Sequence, residues 1–247
     1  MKLRALLLLA SALAVACEPQ GSTTGDLGRV EFSYGASCLA GCGLERPLLA
    51  GSTERIDVSG PGDAADIQVR SSRPEVATFV LSRSCSCARQ SGNAAEVHSV
   101  SPDAACADGW EKECQNAILV SAHAPGDTEL GLIRADGQLL DQATIRVHRA
   151  ESIEFSAGER VEAVVGQTES VAVVVRDADG QELLAHDGLR WTSSDPFVLA
   201  FSTLGGPASE PGHQRASVSV VGVAPGAAAL SVVAGEAEAS LLFNISE

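Results

Sequence analysis

Lysine occurs twice, tryptophan twice, tyrosine once and methionine once in these 247 residues, and aromatic residues make up only 4% of the chain. With so few large rings there is little from which to build an aromatic-lined ligand groove. Basic residues are outnumbered, 17 Lys+Arg against 32 Asp+Glu, for a formal net charge of −15. Such a surface repels phosphate backbones, so no nucleic-acid partner is expected, and it gains nothing from anionic lipid headgroups. Gly-x-Ser-x-Gly, His-Glu-x-x-His and Gly-rich phosphate-cradling motifs are all missing. The five histidines, His98, His123, His148, His186 and His213, are scattered, and none shares a short motif with a second histidine or a paired carboxylate. The expectation is a protein that is not an enzyme and needs no cofactor.

What is present begins at the N-terminus. Lys2 and Arg4 precede an apolar run from Ala5 to Leu13, broken only by Ser11, and small residues follow at Ala14-Val15-Ala16 before Cys17. The run is about half the ~20 residues of a membrane-spanning helix, and the three parts together are those of an export signal. Ala14 to Cys17 resembles a lipobox, at which a precursor is diacylated on the cysteine and cut before it. The usual Leu three places before the cysteine is Ala14 here.

Parity supports that reading over plain secretion. The chain has seven cysteines, and lipidation of Cys17 leaves an even six: Cys38, Cys42, Cys85, Cys87, Cys106 and Cys114. Glu18 to Asp26 is a polar stretch without core residues, as a tether would be. The expected organisation is a signal peptide over 1–16 and a lipid-anchored tether over 17–28. The expected location is the cell envelope, with the membrane contacted through the anchor.

Beyond the tether the chain repeats itself. Val30 to Gly35 (VEFSYG) returns as Ile153 to Gly158 (IEFSAG), and Leu49 to Ile56 returns as Val164 to Val171. Ser71-Ser72-Arg73-Pro74-Glu75-Val76 returns as Ser193-Ser194-Asp195-Pro196-Phe197-Val198, and Ala124-Pro125-Gly126 returns as Ala224-Pro225-Gly226. Four blocks in the same order indicate a tandem duplication, with one domain over 29–149 and a second over 150–247.

The blocks read as strands. Val171 to Val175, Ser217 to Val223 and Ala228 to Val233 are rich in Val with partial period-two alternation, and Ala135-Asp136-Gly137 and Ala234-Gly235-Glu236 read as hairpin turns. The stretch from Ser217 to Gly235 is apolar enough to suggest a span, but Pro225 between Gly222 and Gly226 argues for two strands and a turn. Short strands, frequent turns and no helical period indicate an all-β fold of two tandem β-sandwiches.

Trp191-Thr192-Ser193-Ser194-Asp195-Pro196, followed by Val198, resembles the W-x-S-S-D-P-x-V stretch of the bacterial immunoglobulin-like group-two family, the invasin and intimin type. Gly222-Val223-Ala224-Pro225-Gly226 is similar to that family's G-V-A-P-G. In the first copy Val69 stands where the Trp would be. The resemblance implies immunoglobulin-like sandwiches in an adhesive, spacing or domain-presenting role, with no shared catalytic residues.

The first copy is longer. Its extra residues fall in two insertions, 36–48 and 80–115, which hold all six remaining cysteines, while the second copy has none. In an exported protein these are expected as disulfides, each contributing roughly 2–4 kcal/mol. Alternate strand residues are held apart, so Cys85 and Cys87 should each bond elsewhere, to two of Cys38, Cys42, Cys106 and Cys114. Fifteen pairings are formally open. The insertions are expected to be tied to each other, as an irregular stapled segment suited to recognition of an unidentified protein or glycan. Trp110 lies within it, either as an exposed binding anchor or buried under the disulfides.

Competing readings are a metal site, with cysteine thiolates plus His98 or His123, and a purely structural spacer. Asp177-Ala178-Asp179-Gly180 begins like a calcium loop but lacks the later ligands, so it reads as a turn. Trp191 reads as a core residue, and the sequon Asn244-Ile245-Ser246 as chance.

Overall fold

The computed structural model describes residues 21–35, 42–60, 67–91, 94–185, 187–202 and 216–247. The signal, Cys17, Cys38, His186 and His213 lie outside them. The first half contributes β1 (Thr23–Thr24), β2 (Glu31–Tyr34), β3 (Leu48–Leu49), β4 (Thr53–Ser59), β5 (Ile67–Ser71), β6 (Ala77–Ser91), β7 (Ala94–Val100), β8 (Glu111–Ala122), β9 (Gly126–Arg134) and β10 (Leu139–His148). The second contributes β11 (Ser152–Phe155), β12 (Arg160–Val164), β13 (Thr168–Arg176), β14 (Arg190–Ser193), β15 (Leu199–Ser202), β16 (Ala216–Gly222), β17 (Gly226–Ala234) and β18 (Ala237–Ser246).

Two facing sheets form in each half. The second half has β11-β13-β16-β15 against β12-β18-β17-β14. In chain order this is the immunoglobulin arrangement, A-B-E-D facing G-F-C, with β12 as a first-strand segment that has crossed to pair in parallel with β18. The first half repeats it as β2-β4-β8-β6 and β3-β10-β9-β5, including the parallel β3–β10 pair, and adds β1 and β7 at the two edges of the larger sheet. The duplication is therefore a duplication of fold, strand for strand.

Inward positions follow the pleat. Val171, Val173 and Val175 of β13 are buried, as are Ala228, Leu230, Val232 and Ala234 of β17. The apolar stretch 217–235 divides at Pro225 into β16 and β17, which belong to opposite sheets. Trp191 sits on β14, half-buried between two core clusters, with its ring 6.1 Å from Phe155 in an edge-on contact. Gly235, at φ +61, occupies the first central position of the β17–β18 turn, where a type II′ geometry demands a residue without a Cβ.

The repeated motifs build the corner between sheets. Ser194 Oγ accepts from the Ala229 N–H at 2.8 Å and the Ser194 N–H donates to Ala229 O at 2.9 Å, fastening β14 to β17. Asp195 O accepts from the N–H groups of Val198 and Leu199, turning the chain into β15, and Val223 N–H donates to Val198 O. Gly226 lies against Val198, where a Cβ would come within 3.1 Å of its methyl. The first sandwich makes the same contacts: Ser72 exchanges both bonds with Glu129, Arg73 O accepts from the N–H groups of Val76 and Ala77, His123 N–H donates to Val76 O, and Gly126 lies against Val76.

The sandwiches meet along a short strand addition. Leu184 N–H donates to Pro47 O and Leu49 N–H to Leu184 O, so Leu184 extends the edge of β3, and Leu49 is buried among Leu183, Val175 and Val232. Beside it, Asp177 Oδ2 lies 2.6 Å from His148 Nδ1, and Asp177 Oδ1 accepts from the N–H groups of Asp179 and Gln181. Burial alone would raise the Asp177 carboxyl, but the bonds from His148 and these backbone groups outweigh it and hold it below the usual carboxylate value. The segment from Asp177 to Gly180 is thus a turn whose carboxylate is already engaged by protein donors.

At the opposite end of the first sandwich a second buried carboxylate organises the incoming chain. Asp141 is fully buried and accepts from the N–H groups of Leu27, Arg29, Val30 and Gln142 at 2.8–2.9 Å. Gly25 packs so closely on this carboxylate that a Cβ would sit 2.4 Å from Cγ.

Candidate functional site

The long insertion is a continuation of the larger sheet, not an irregular segment as its composition suggests. β4 pairs with β8 only from Thr53↔Ser121 to Asp57↔Ala117, whereas β6 and β8 run on together to Ala88↔Glu111. Six residues of β8 thus overhang the sandwich by roughly 20 Å at strand rise. β7 adds a third strand on the far side of β6. The reason lies in the pleat of Ser84-Cys85-Ser86-Cys87, which turns both cysteines to one face and both serines to the other. That periodicity supports a strand even though none of these residues is a strong strand former.

An overhanging sheet has no facing sheet to cover its inner side. The apolar core stops at Leu81 on β6 and Ile118 on β8, yet Cys85 and Cys87 are buried. The chain's own loop 101–110 supplies the cover. Cys87 bonds to Cys106, drawing the loop over the strands, while Cys85 bonds across the ladder to Cys114, its direct antiparallel neighbour with Cα atoms 4.0 Å apart. Lys112 Nζ donates to Pro102 O and Ala104 O at 2.6 and 2.5 Å, so one of the two lysines in the chain pins this loop. Gly109, at φ +82, turns the chain so that Trp110 folds back. The Trp110 ring is half-buried, 5.0 Å from the His98 ring and 4.9 Å beneath the Arg89 guanidinium, which is itself paired with Glu96 at 2.9 Å.

The Cys85–Cys114 and Cys87–Cys106 disulfides lie inside the 80–115 insertion, so these four cysteines do not tie the two insertions together as expected. The physical reason is proximity. Cys114 already stands opposite Cys85, and Cys106 lies on the loop that must cover Cys87. Cys42 is also disulfide-bonded, while Cys38 lies outside the described residues. The residues following it serve the joint between sandwiches, through Pro47 and Leu49. Sequence reading missed that role, and its only trace was the pair of apolar doublets Leu48-Leu49 and Leu183-Leu184.

The arm brings Trp110, His98 and Arg89 together and leaves His123 elsewhere, bonded to Thr78 Oγ1 at 2.9 Å. Cys85, Cys87, Cys106 and Cys114, being disulfides, offer no thiolate. Among the described residues no group of three or more His, Cys, Asp or Glu side chains is arranged to hold a metal ion.

The strand registers also orient the arm. β4 ends at Ser59, opposite Glu31 of β2, on the side where β8 runs out into the arm. The arm and residues 25–31 therefore share one end of the first sandwich, and the second sandwich occupies the other.

Neither a family model nor a curated protein matches the chain. Among solved structures, it is similar to domains 4 and 5 of the S-layer protein SbsC, at 17% identity over 81% of this chain and 94% of that one, with a TM-score of 0.35. It is similar to the D0-D1 domain of intimin at 10% identity, covering 81% and 95%, with a TM-score of 0.26. For the Yersinia pseudotuberculosis adhesin InvE the identity is 13%, the coverage 82% and 57%, and the TM-score 0.33. The chain spans 28% of the SbsC fragment that comprises domains 4–9.

Proposed function

We propose that this is an envelope lipoprotein, anchored through Cys17, whose two immunoglobulin-like domains, 29–149 and 150–247, present the stapled arm to a protein or glycan partner without catalysing a reaction. The arm carries the reading. It is a sheet continuation held by two disulfides and a cation–π stack, and among the described residues the second sandwich has no counterpart.

Ser82 pairs with Ala117, so residues 83–116 can be replaced by Asn-Gly, which closes a two-residue hairpin in register. Crosslinking in the native membrane fraction should capture a partner with the intact protein and lose it with the shortened one. Retention of the same partner would refute the arm's role and leave the spacer reading. Mass spectrometry of the native protein should find Cys17 acylated, and an unmodified Cys17 would refute the anchor.

A further inference from the structure

The far end of the second sandwich reproduces, bond for bond, the end of the first sandwich on which the second one sits. Gly51 N–H donates to Ala122 O, and Gly166 N–H to Gly222 O. Ala50 N–H donates to His148 O, and Val165 N–H to Ser246 O. Ser52 N–H donates to Leu49 O, and Gln167 N–H to Val164 O. Gly51 and Gly166 share the left-handed φ that this turn requires, at +91° and +80°.

One bond differs. Leu49 N–H is taken by Leu184 O of the neighbouring sandwich, whereas Val164 N–H, its equivalent, is taken by the Gln167 side chain at 3.3 Å. The edge of β3 is thus filled by a backbone segment, and the edge of β12 by a side-chain substitute.

Exposure follows the same division. Leu49 is 2% exposed and Val164 43%. Around Val164 the second sandwich is also more apolar than its twin. Phe197, 82% exposed, stands where the first sandwich has Glu75, and Val223 where it has His123. Val165, Gly222, Val223 and Val198 are linked in turn by backbone bonds, so Val164, Val165, Val223 and Phe197 line one end face. Where the first sandwich carries the exposed polar groups of Glu75 and His123 beside its joint, the second carries exposed apolar ones, which is the composition of a docking face.

We infer that this end face seats a β-sandwich module of a second protein, which displaces the Gln167 amide and adds a short apolar segment to the β12 edge as Leu183-Leu184 does on β3. The chain's own Leu184 is already engaged on β3, so a different segment has to fill this edge. This does not depend on the anchor or on the arm.

A synthetic peptide with the sequence of residues 180–188 serves as probe, titrated into the isotopically labelled full chain while amide shifts are followed. Saturable shifts in the millimolar range are expected at Val164, Val165, Gly166 and Thr168. They should vanish for the peptide with both leucines replaced by Asp, and weaken at least tenfold in Val164→Asp, whose melting temperature should stay unchanged because the site is exposed. No saturable shift, an equal response to the Asp peptide, or an undiminished response of Val164→Asp would overturn the inference. Concentration-dependent shifts at these amides without peptide would replace the second protein by a second copy of this chain.

Discussion

The two sandwiches share every core strand and both corner motifs, yet the first is stapled and gathers its incoming chain on the buried carboxylate of Asp141, which the second lacks at the equivalent position. Asp141 in β10 corresponds to Ala239 in β18, and Val69 in β5 to Trp191 in β14. The second sandwich fills its centre with one large ring. The first has a smaller residue there, and invests in disulfides and a carboxylate that gathers four backbone N–H groups. The two halves thus stabilise the same topology by different means, and the additions cluster where the first sandwich extends beyond it.

The comparison can be broken first at Trp191. Its replacement by Ala should cost about 3–5 kcal/mol, against roughly 1–2 kcal/mol for Val69→Ala, as read by denaturant midpoints of the two variants. Similar losses at both positions would mean that the second core does not depend on its ring.

Asp141→Ala should cost on the order of 3 kcal/mol, since it strands buried N–H donors, while Ala239→Ser should be nearly silent. Burial tends to raise the Asp141 carboxyl, but the bonds from Leu27, Arg29, Gln142 and Val30 prevail and hold it low. A carboxyl depressed in the folded state contributes stability that is complete above the unfolded value, near 4, and is lost as pH falls through the folded one. Unfolding followed from pH 6 to pH 2 should therefore show an acid loss that Asp141→Asn flattens.

The double replacement Cys87→Ser with Cys106→Ser should lower stability by about 3 kcal/mol for a loop of this length. Hydrogen exchange should rise in residues 96–112 and stay unchanged in 150–247. Spread of the exchange into β16 or β17 would show that the staple supports more than the arm.

The smallest effect is expected at Gly235→Ala, about 1–2 kcal/mol from a left-handed φ, and it should fall on the second sandwich alone.

Most of the scaffold was legible because the duplicated blocks coincide with equivalent elements. VEFSYG and IEFSAG became β2 and β11, the Ser-Ser-x-Pro-x-Val blocks became the sheet-changing corners, and Trp191 took its place between sheets. The arm's regularity was hidden, because in Arg83 to Gln90 the alternation is written in Ser and Cys rather than in branched or aromatic residues. Cysteine partners followed from register and loop path, which a sequence does not carry. The joint was also hidden. Leu49 and Leu184 are 135 positions apart, and what links them is the free edge of β3, a strand two residues long.

The parallel pairing of β12 with β18 has a mechanical consequence. A pull that draws the start of β12 toward the first sandwich and the end of β18 away from it slides the strands past each other. The five facing positions from Arg160↔Leu242 to Val164↔Ser246 then resist in shear together, rather than opening one after another like a zip. β3 and β10 have two such positions. Under tension the first sandwich is therefore the one that yields, and the two disulfides of the arm, which span neither β3 nor β10, would not prevent it.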